Sequence, residues 1–244
     1  MIARAFRIQA RSLLHDIVLL WVLAAAFAMS VLVAAGVPPE LADAPPNSRA
    51  ALFAPFGVVV AVYGAVLAAV YGSFRYTVDR RDGVLAQRLM LERRPTVLLT
   101  RVPAAAVGGA CISLAAVTGA HAAFGVAFGG LPIDGSTVGR TLLLGAVAGV
   151  YGLAVGLVVQ THLVALFIAP MSLAAGLLVV AVWPTMAVHL PLLALLEALG
   201  FDVSAAGLAA PDRLDRPVAV LVSAGWMLIG LLGGGILFLI RDLP

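Results

Sequence analysis

Between residues 79 and 88 the chain reads D-x-x-D-G-x-x-A-x-R, with Asp79, Asp82, Gly83, Ala86 and Arg88 at the fixed positions. Two carboxylates three residues apart on a helix are neighbours on one face. Such a pair is the beginning of a divalent-cation site. Ca²⁺ and Mg²⁺ need about six oxygen ligands or more, and residues 89–99 add no aspartate and no glycine. The pair therefore lacks about half of a metal's ligands. What the segment does hold is positive charge. From Arg75 to Arg101 the sequence is RYTVDRRDGVLAQRLMLERRPTVLLTR. Arg75, Arg80, Arg81, Arg88, Arg93, Arg94 and Arg101 are seven of the chain's fifteen basic residues. Arginines massed beside membrane-length apolar runs mark the cytoplasmic side of a membrane. Between two such runs they form a surface large enough for a cytoplasmic partner.

The elements that hold this stretch follow from composition. The 244 residues are 63% hydrophobic and 11% charged, with a mean hydropathy of +1.11. Soluble domains carry about 25% charged residues, so the chain reads as one integral membrane domain over residues 1–244. The basic pI of about 9.6 does not point to nucleic acid, because the arginines flank apolar segments and so face lipid. All fifteen basic residues are Arg, a matter of genome composition. Cys111 is the single cysteine, which excludes an internal disulfide and a cysteine-rich metal site. It reads as a small core residue. The first apolar run is longer than a signal-peptide core of about 7–15 residues, and no cleavage site follows it.

In chain order, residues 1–16 place Arg4, Arg7 and Arg11 on one helical face and Ile2, Phe6, Ala10 and Leu13 on another. That pattern predicts a helix lying in the membrane interface. Six spans follow, at about 17–37, 51–74, 102–129, 141–160, 163–188 and 217–240, each long enough to cross a core of about 30 Å. Pro38, Pro39, Pro45 and Pro46, with Glu40 and Asp43, make an outer loop after the first span. Residues 134–140 read as a short outer turn, and Gln160, Thr161 and His162 as a tight inner one. Gly145, Gly149, Gly152 and Gly156 on the fourth span predict close helix packing. Pro170 and Pro184 predict kinks in the fifth span. Residues 189–216 begin with an apolar segment too short to cross and continue as a polar one, which predicts re-entrant or interfacial helices on the outer side.

Six spans put both termini on the same side. The inner segments then hold Arg4, Arg7, Arg11, Arg75, Arg80, Arg81, Arg88, Arg93, Arg94, Arg101 and Arg241, and the outer ones Arg49, Arg140, Arg213 and Arg216. Eleven against four supports cytoplasmic termini.

Other chemistry is sparse. An ion-coupled transporter needs carboxylates or histidines along its path. Here His121 sits near an outer span end, and His15, His162 and His189 fall at span boundaries, which suits interfacial histidines. The 79–88 pattern resembles the metal-binding start of CDP-alcohol phosphotransferases. In that family the alanine and arginine are adjacent and further aspartates follow. Gln87 separates them here, and the further aspartates are missing. No G-x-x-x-x-G-K-[ST] phosphate loop is present, so any ATPase is a separate chain.

The segment DRRDGVLAQRLMLERRPTVLLTRV also resembles the inner loop of ABC-2 type permeases, the membrane subunits of a class of bacterial ABC exporters. Asp79, Asp82 and Gly83 match its acidic start, and Arg93 or Arg94 with Arg101 its basic end. Aspartate stands where the family commonly has glutamate, and arginine where it has lysine. The resemblance implies an all-α integral membrane fold of six transmembrane helices. To these it adds an N-terminal interfacial helix (1–16), a cytoplasmic coupling loop (75–101) that carries a coupling helix between spans two and three, and extracellular re-entrant helices between spans five and six (189–216).

The function implied is the permease subunit of an ATP-driven exporter in the bacterial cell membrane, moving a drug, lipid or lipid-linked molecule outward. The chain itself would not be an enzyme and would carry no cofactor. ATP and Mg²⁺ would sit on a partner ABC ATPase subunit, and a second permease would complete a homodimer or heterodimer among membrane lipids, with no nucleic acid. Coupling would run through Asp79, Arg80, Arg81, Asp82, Gly83, Val84, Leu85, Arg88, Leu89, Arg93, Arg94 and Arg101. Val84, Leu85, Leu89 and Leu91 would contact the ATPase, and Arg80, Arg81, Arg88 and Arg93 would surround that contact. Phe27, Phe56, Tyr63 and Met171 would line the substrate cavity. The competing class is a non-transport scaffold or sensor subunit that binds a cytoplasmic partner through the same residues.

Overall fold

The computed structural model describes residues 2–37, 45–129, 134–204, 206–207 and 213–240. Among the described residues the chain forms ten α-helices and no strand. They are α1 (Ile2–Leu14), α2 (Ile17–Ala35), α3 (Pro46–Arg81), α4 (Val84–Leu91), α5 (Arg94–Phe128), α6 (Gly135–Val159), α7 (His162–Val179), α8 (Pro184–Ala187), α9 (Pro191–Leu199) and α10 (Arg216–Ile240). Six of them, α2, α3, α5, α6, α7 and α10, are long and apolar enough to cross a membrane. The protein is a multi-pass membrane protein with the expected number of spans. The outer-loop residues Glu40 and Asp43, and Arg241 at the end of the chain, lie outside the described residues.

The segment expected as a loop over 75–101 is mostly helix. The second span does not stop at Phe74, because α3 continues two turns to Arg81. The third starts at Arg94 rather than Val102. At about 1.5 Å per residue, α5 with its 35 residues is over 50 Å long, well beyond a hydrocarbon core of about 30 Å. Both helices carry their charged turns past the apolar zone. Gly83, at φ 74°, allows the chain to reverse after α3, since a left-handed residue there costs glycine little. Pro95 sits in the first turn of α5, where its missing N–H removes no helical bond.

Residues 135–140 form the start of α6 rather than a turn. Asp134 caps this helix by accepting from the backbone amides of Ser136 and Thr137 at 3.1 and 3.2 Å, the standard role of aspartate at that position. The fifth span is shorter than expected. α7 ends at Val179, and Pro184 does not kink it but opens the one-turn helix α8. Pro170 lies inside α7. Helix α9 has nine residues, about 13 Å, so it cannot cross. Its leucines 192, 193, 195 and 196 are buried in a cluster with residues of α3, α6 and α7.

α3 and α6 form the centre of the bundle. Of their most apolar stretches 61% is buried, against 17% for α2 and α10 and 22% for α7. The glycines of α6 make this possible. A Cβ on Gly149 would strike the Ala105 carbonyl of α5, and one on Gly152 the Ala69 carbonyl of α3. The α6 backbone therefore lies directly on both neighbours. Without a hydrophobic driving force in lipid, such close contact is what holds helices together.

Candidate functional site

Charge on a membrane helix is tolerated when it is paired, and the arginine-rich end of the bundle is built on that rule. Tyr71, Arg75 and Asp79 recur every four residues on α3, so they share one face. Opposite them lies Asp16, between α1 and α2. Its Oδ1 caps α2, accepting from the amides of Val18 and Leu19 at 3.1 and 3.3 Å. Its Oδ2 accepts from Arg75 Nε at 2.6 Å and from the Tyr71 hydroxyl at 3.2 Å. The other side of Arg75 donates to Asp79 Oδ1. Asp79 Oδ2 accepts from Arg101 Nη2 of α5 at 2.7 Å. Two aspartates and two arginines thus alternate across three elements with no net charge.

Asp79 and Arg101 are 3% and 5% exposed, which places both inside the chain rather than on a surface a partner could touch. Arg101 also lies over the Tyr76 ring, 5.4 Å from its centroid, within range of a cation–π contact. Its Nε is buried without a partner. Both carboxylate oxygens of Asp79 are thus engaged by arginines.

Above this network sits α4. Leu85 is 1% exposed and packs with Tyr76, Val97 and Leu153, while Leu89 lies at the edge of that cluster. Arg88 donates to the Gln9 side chain of α1, and Arg94 to the Leu239 carbonyl at the end of α10, at 2.8 Å. These residues anchor the tip to its own chain. Facing out are Met90 and Leu91, 88% and 84% exposed, with Arg81, Asp82, Gln87 and Arg93 also exposed and Arg80 and Val84 half-buried. Met90 was absent from the residues expected at a contact. Its signal was a third apolar residue in the run Leu89-Met90-Leu91. Gln9, Asp16 and Tyr71 were missed as well.

The expected cavity residues are not gathered around one space. Tyr63 is buried between α2, α3 and α5, bonded to Ser30, whose hydroxyl also donates to the Ala116 carbonyl at 2.6 Å. Phe56 packs edge-on against Phe124 with centroids 5.6 Å apart. Phe27 and Met171 are exposed on α2 and α7. His121 Nδ1 donates to the Val117 carbonyl of its own helix at 2.9 Å.

At the opposite end, Arg213 pairs with Glu197 at 3.2 Å and Asp202 at 3.1 Å, and Arg140 donates to the Gly200 carbonyl at 2.9 Å. These contacts tie the α9 segment to α6 and to the chain leading into α10. Hydrogen bonds from Ser204 and Arg213 hold the Asp202 carboxyl below its ordinary range, and Glu197 with Asp202 raises Arg213. No family model, no curated protein and no solved structure matches this chain.

Proposed function

We propose that this chain is the permease subunit of an ATP-driven exporter of the ABC-2 type, with α4 as the helix that receives force from a separate ATPase. The observation that carries the reading is the division of labour on α4. Leu85 and Arg88 fasten the helix to its own bundle, and Met90 and Leu91 stand exposed with the exposed polar side chains of Gln87 and Arg93 near them in the sequence. An apolar pair beside polar residues is the form of a partner contact, and Met90 and Leu91 are the two most exposed large apolar residues of this eight-residue helix.

The ion network gives such a push somewhere to go. Displacing α4 would draw on Gln9 through Arg88 and so on α1. Asp16 would carry the shift into α2, and Asp79 with Arg101 would hold α3 and α5 in step. A rigid-body shift of packed helices is a known way for a local contact to reach a distant face. In this reading the arginine-rich end and both termini are cytoplasmic, α1 lies in the interface, and α9 belongs to a re-entrant element on the outer side. A second permease completes the path in the cell membrane, and ATP with Mg²⁺ binds on the ATPase. The cargo is an apolar or amphipathic molecule.

The test is co-purification. The chain is solubilised from its native membrane, and ATP hydrolysis in the purified sample is compared with that of Met90→Asp/Leu91→Asp. The reading predicts activity with wild type and its loss in the variant. A wild-type sample without ATPase, or a variant that keeps it, refutes the reading. A co-purifying regulator in place of an ATPase would favour the scaffold function.

A further inference from the structure

Beside the ion network, where α3 and α4 meet the turn between α6 and α7, lies an open groove of about 550 Å³. Arg80, Arg81 and His162 line it together with Gln160, and the lining itself holds no carboxylate, the nearest in sequence being Asp82 between Arg81 and Gly83. Arg81 lies within hydrogen-bond distance of His162 Nε2, at 3.1 Å. Phe74 meets the same ring edge-on, 6.5 Å between centroids. Arg80 and Arg81 have no ion-pair partner among the described residues, in contrast to Arg75 and Arg101. Two unneutralised guanidinium groups around one groove attract an anion, and guanidinium is the side chain best matched to phosphate oxygens.

Depth along the bundle selects the kind of anion. Arg81 is the last residue of one membrane-length helix and His162 the first of another. The groove therefore lies at the level where apolar span gives way to polar tip. Its lower wall is Leu163 and Val164 of α7, both exposed, so an occupant with its charge on the arginines would meet apolar surface below. A free anion has no use for that wall, whereas a lipid has.

We propose that this groove is a binding site for the phosphate headgroup of an anionic phospholipid, held by Arg80, Arg81 and His162 with its glycerol and upper acyl region against Leu163 and Val164. The proposal does not depend on the ATPase reading. An occupied groove would add a brace between α4 and the α6–α7 turn to the contacts that Leu85 and Arg88 already make.

The test is native mass spectrometry of the full chain, purified in neutral detergent with phosphatidylglycerol or phosphatidylcholine added in equal amounts. Wild type is expected to retain phosphatidylglycerol over phosphatidylcholine. Arg81→Gln/His162→Gln should reduce that retention by about fivefold to tenfold, since each basic group near a membrane surface contributes substantially to anionic-lipid binding. Arg140→Gln, which removes the same charge at the other end, should leave it unchanged. Unfolding temperatures of the variants in detergent show that the fold is intact. Equal retention of the two lipids, or a double variant that binds as wild type does, overturns the proposal. Complete displacement of phosphatidylglycerol by excess inorganic phosphate would make the groove a free-anion site and overturn it too.

Discussion

Asp16 and Arg75, 59 residues apart in sequence, lie 2.6 Å from each other, and this pair joins the elbow between α1 and α2 to the last turns of α3. One aspartate thereby caps a membrane helix with one oxygen and holds an arginine with the other. The pair continues through Asp79 to Arg101, so one chain of ion pairs links the α1–α2 elbow, α3 and α5.

Removing the central carboxylate should show this directly. Asp79→Ala leaves Arg101 buried without its counter-charge, and breaking one partner of a buried pair costs about 3–5 kcal/mol. The expected outcome is a large fall in thermal unfolding temperature in detergent. Asp79→Ala/Arg101→Met should recover much of it, because a charge no longer lies unpaired. If the single variant is as stable as wild type, the network does not hold the helices.

The two faces of α4 should separate under mutation. Leu85→Asp buries a charge in the Tyr76–Val97–Leu153 cluster and should destabilise the tip, lowering the unfolding temperature. Met90→Asp adds charge to an exposed site and should leave stability within about 0.5 kcal/mol of wild type. A Met90→Asp variant that unfolds as early as Leu85→Asp would show that Met90 is a core residue.

How much of this was legible in the sequence depends on the physics each feature uses. The spans were readable because length and hydropathy are set by the bilayer, and the glycines of α6 because close packing in lipid needs small residues at a four-residue spacing. Helix ends were less so. The apolar pattern stops where the membrane does, but α3 and α5 continue as charged helix, held by partners on other elements. Asp16 illustrates the difficulty. An aspartate just before an apolar run is an ordinary N-cap signal, and the four-residue recurrence of Tyr71, Arg75 and Asp79 was also visible. Their meeting was not, since it depends on how α2 packs against α3 and α5. The inward turn of Leu85 likewise could not be told from the outward turn of Leu91 by residue type.

Close approach at the bundle centre predicts a sharp size limit. Gly152→Ala places a methyl group against the Ala69 carbonyl, and overpacking of this kind costs about 1–3 kcal/mol. The unfolding temperature should fall, whereas Gly57→Ala, where a methyl group meets open space, should not lower it through any clash. Equal behaviour of the two would contradict the α3–α6 packing.

The cap on α6 gives a pH dependence of known sign. Hydrogen bonds from the Ser136 and Thr137 side chains, with their backbone amides, hold the Asp134 carboxyl well below its ordinary range. Folding thus favours the ionised form. Its contribution is fully present above the unfolded pKa, near 4, and is lost as pH falls through the lower folded value. The stability difference between wild type and Asp134→Ala should be constant from pH 7 to about 5 and narrow only below about pH 4. A difference that disappears already at pH 5 would contradict the cap.

The most direct measurement is photocrosslinking in the native membrane, with a photoreactive amino acid at position 90 on the α4 tip and, as control, at position 126, exposed at the far end of α5. The account predicts that position 90 captures a nucleotide-binding ATPase subunit, identified by mass spectrometry, and that position 126 does not. Capture of lipid alone at position 90, or of a regulator in place of an ATPase, would contradict it.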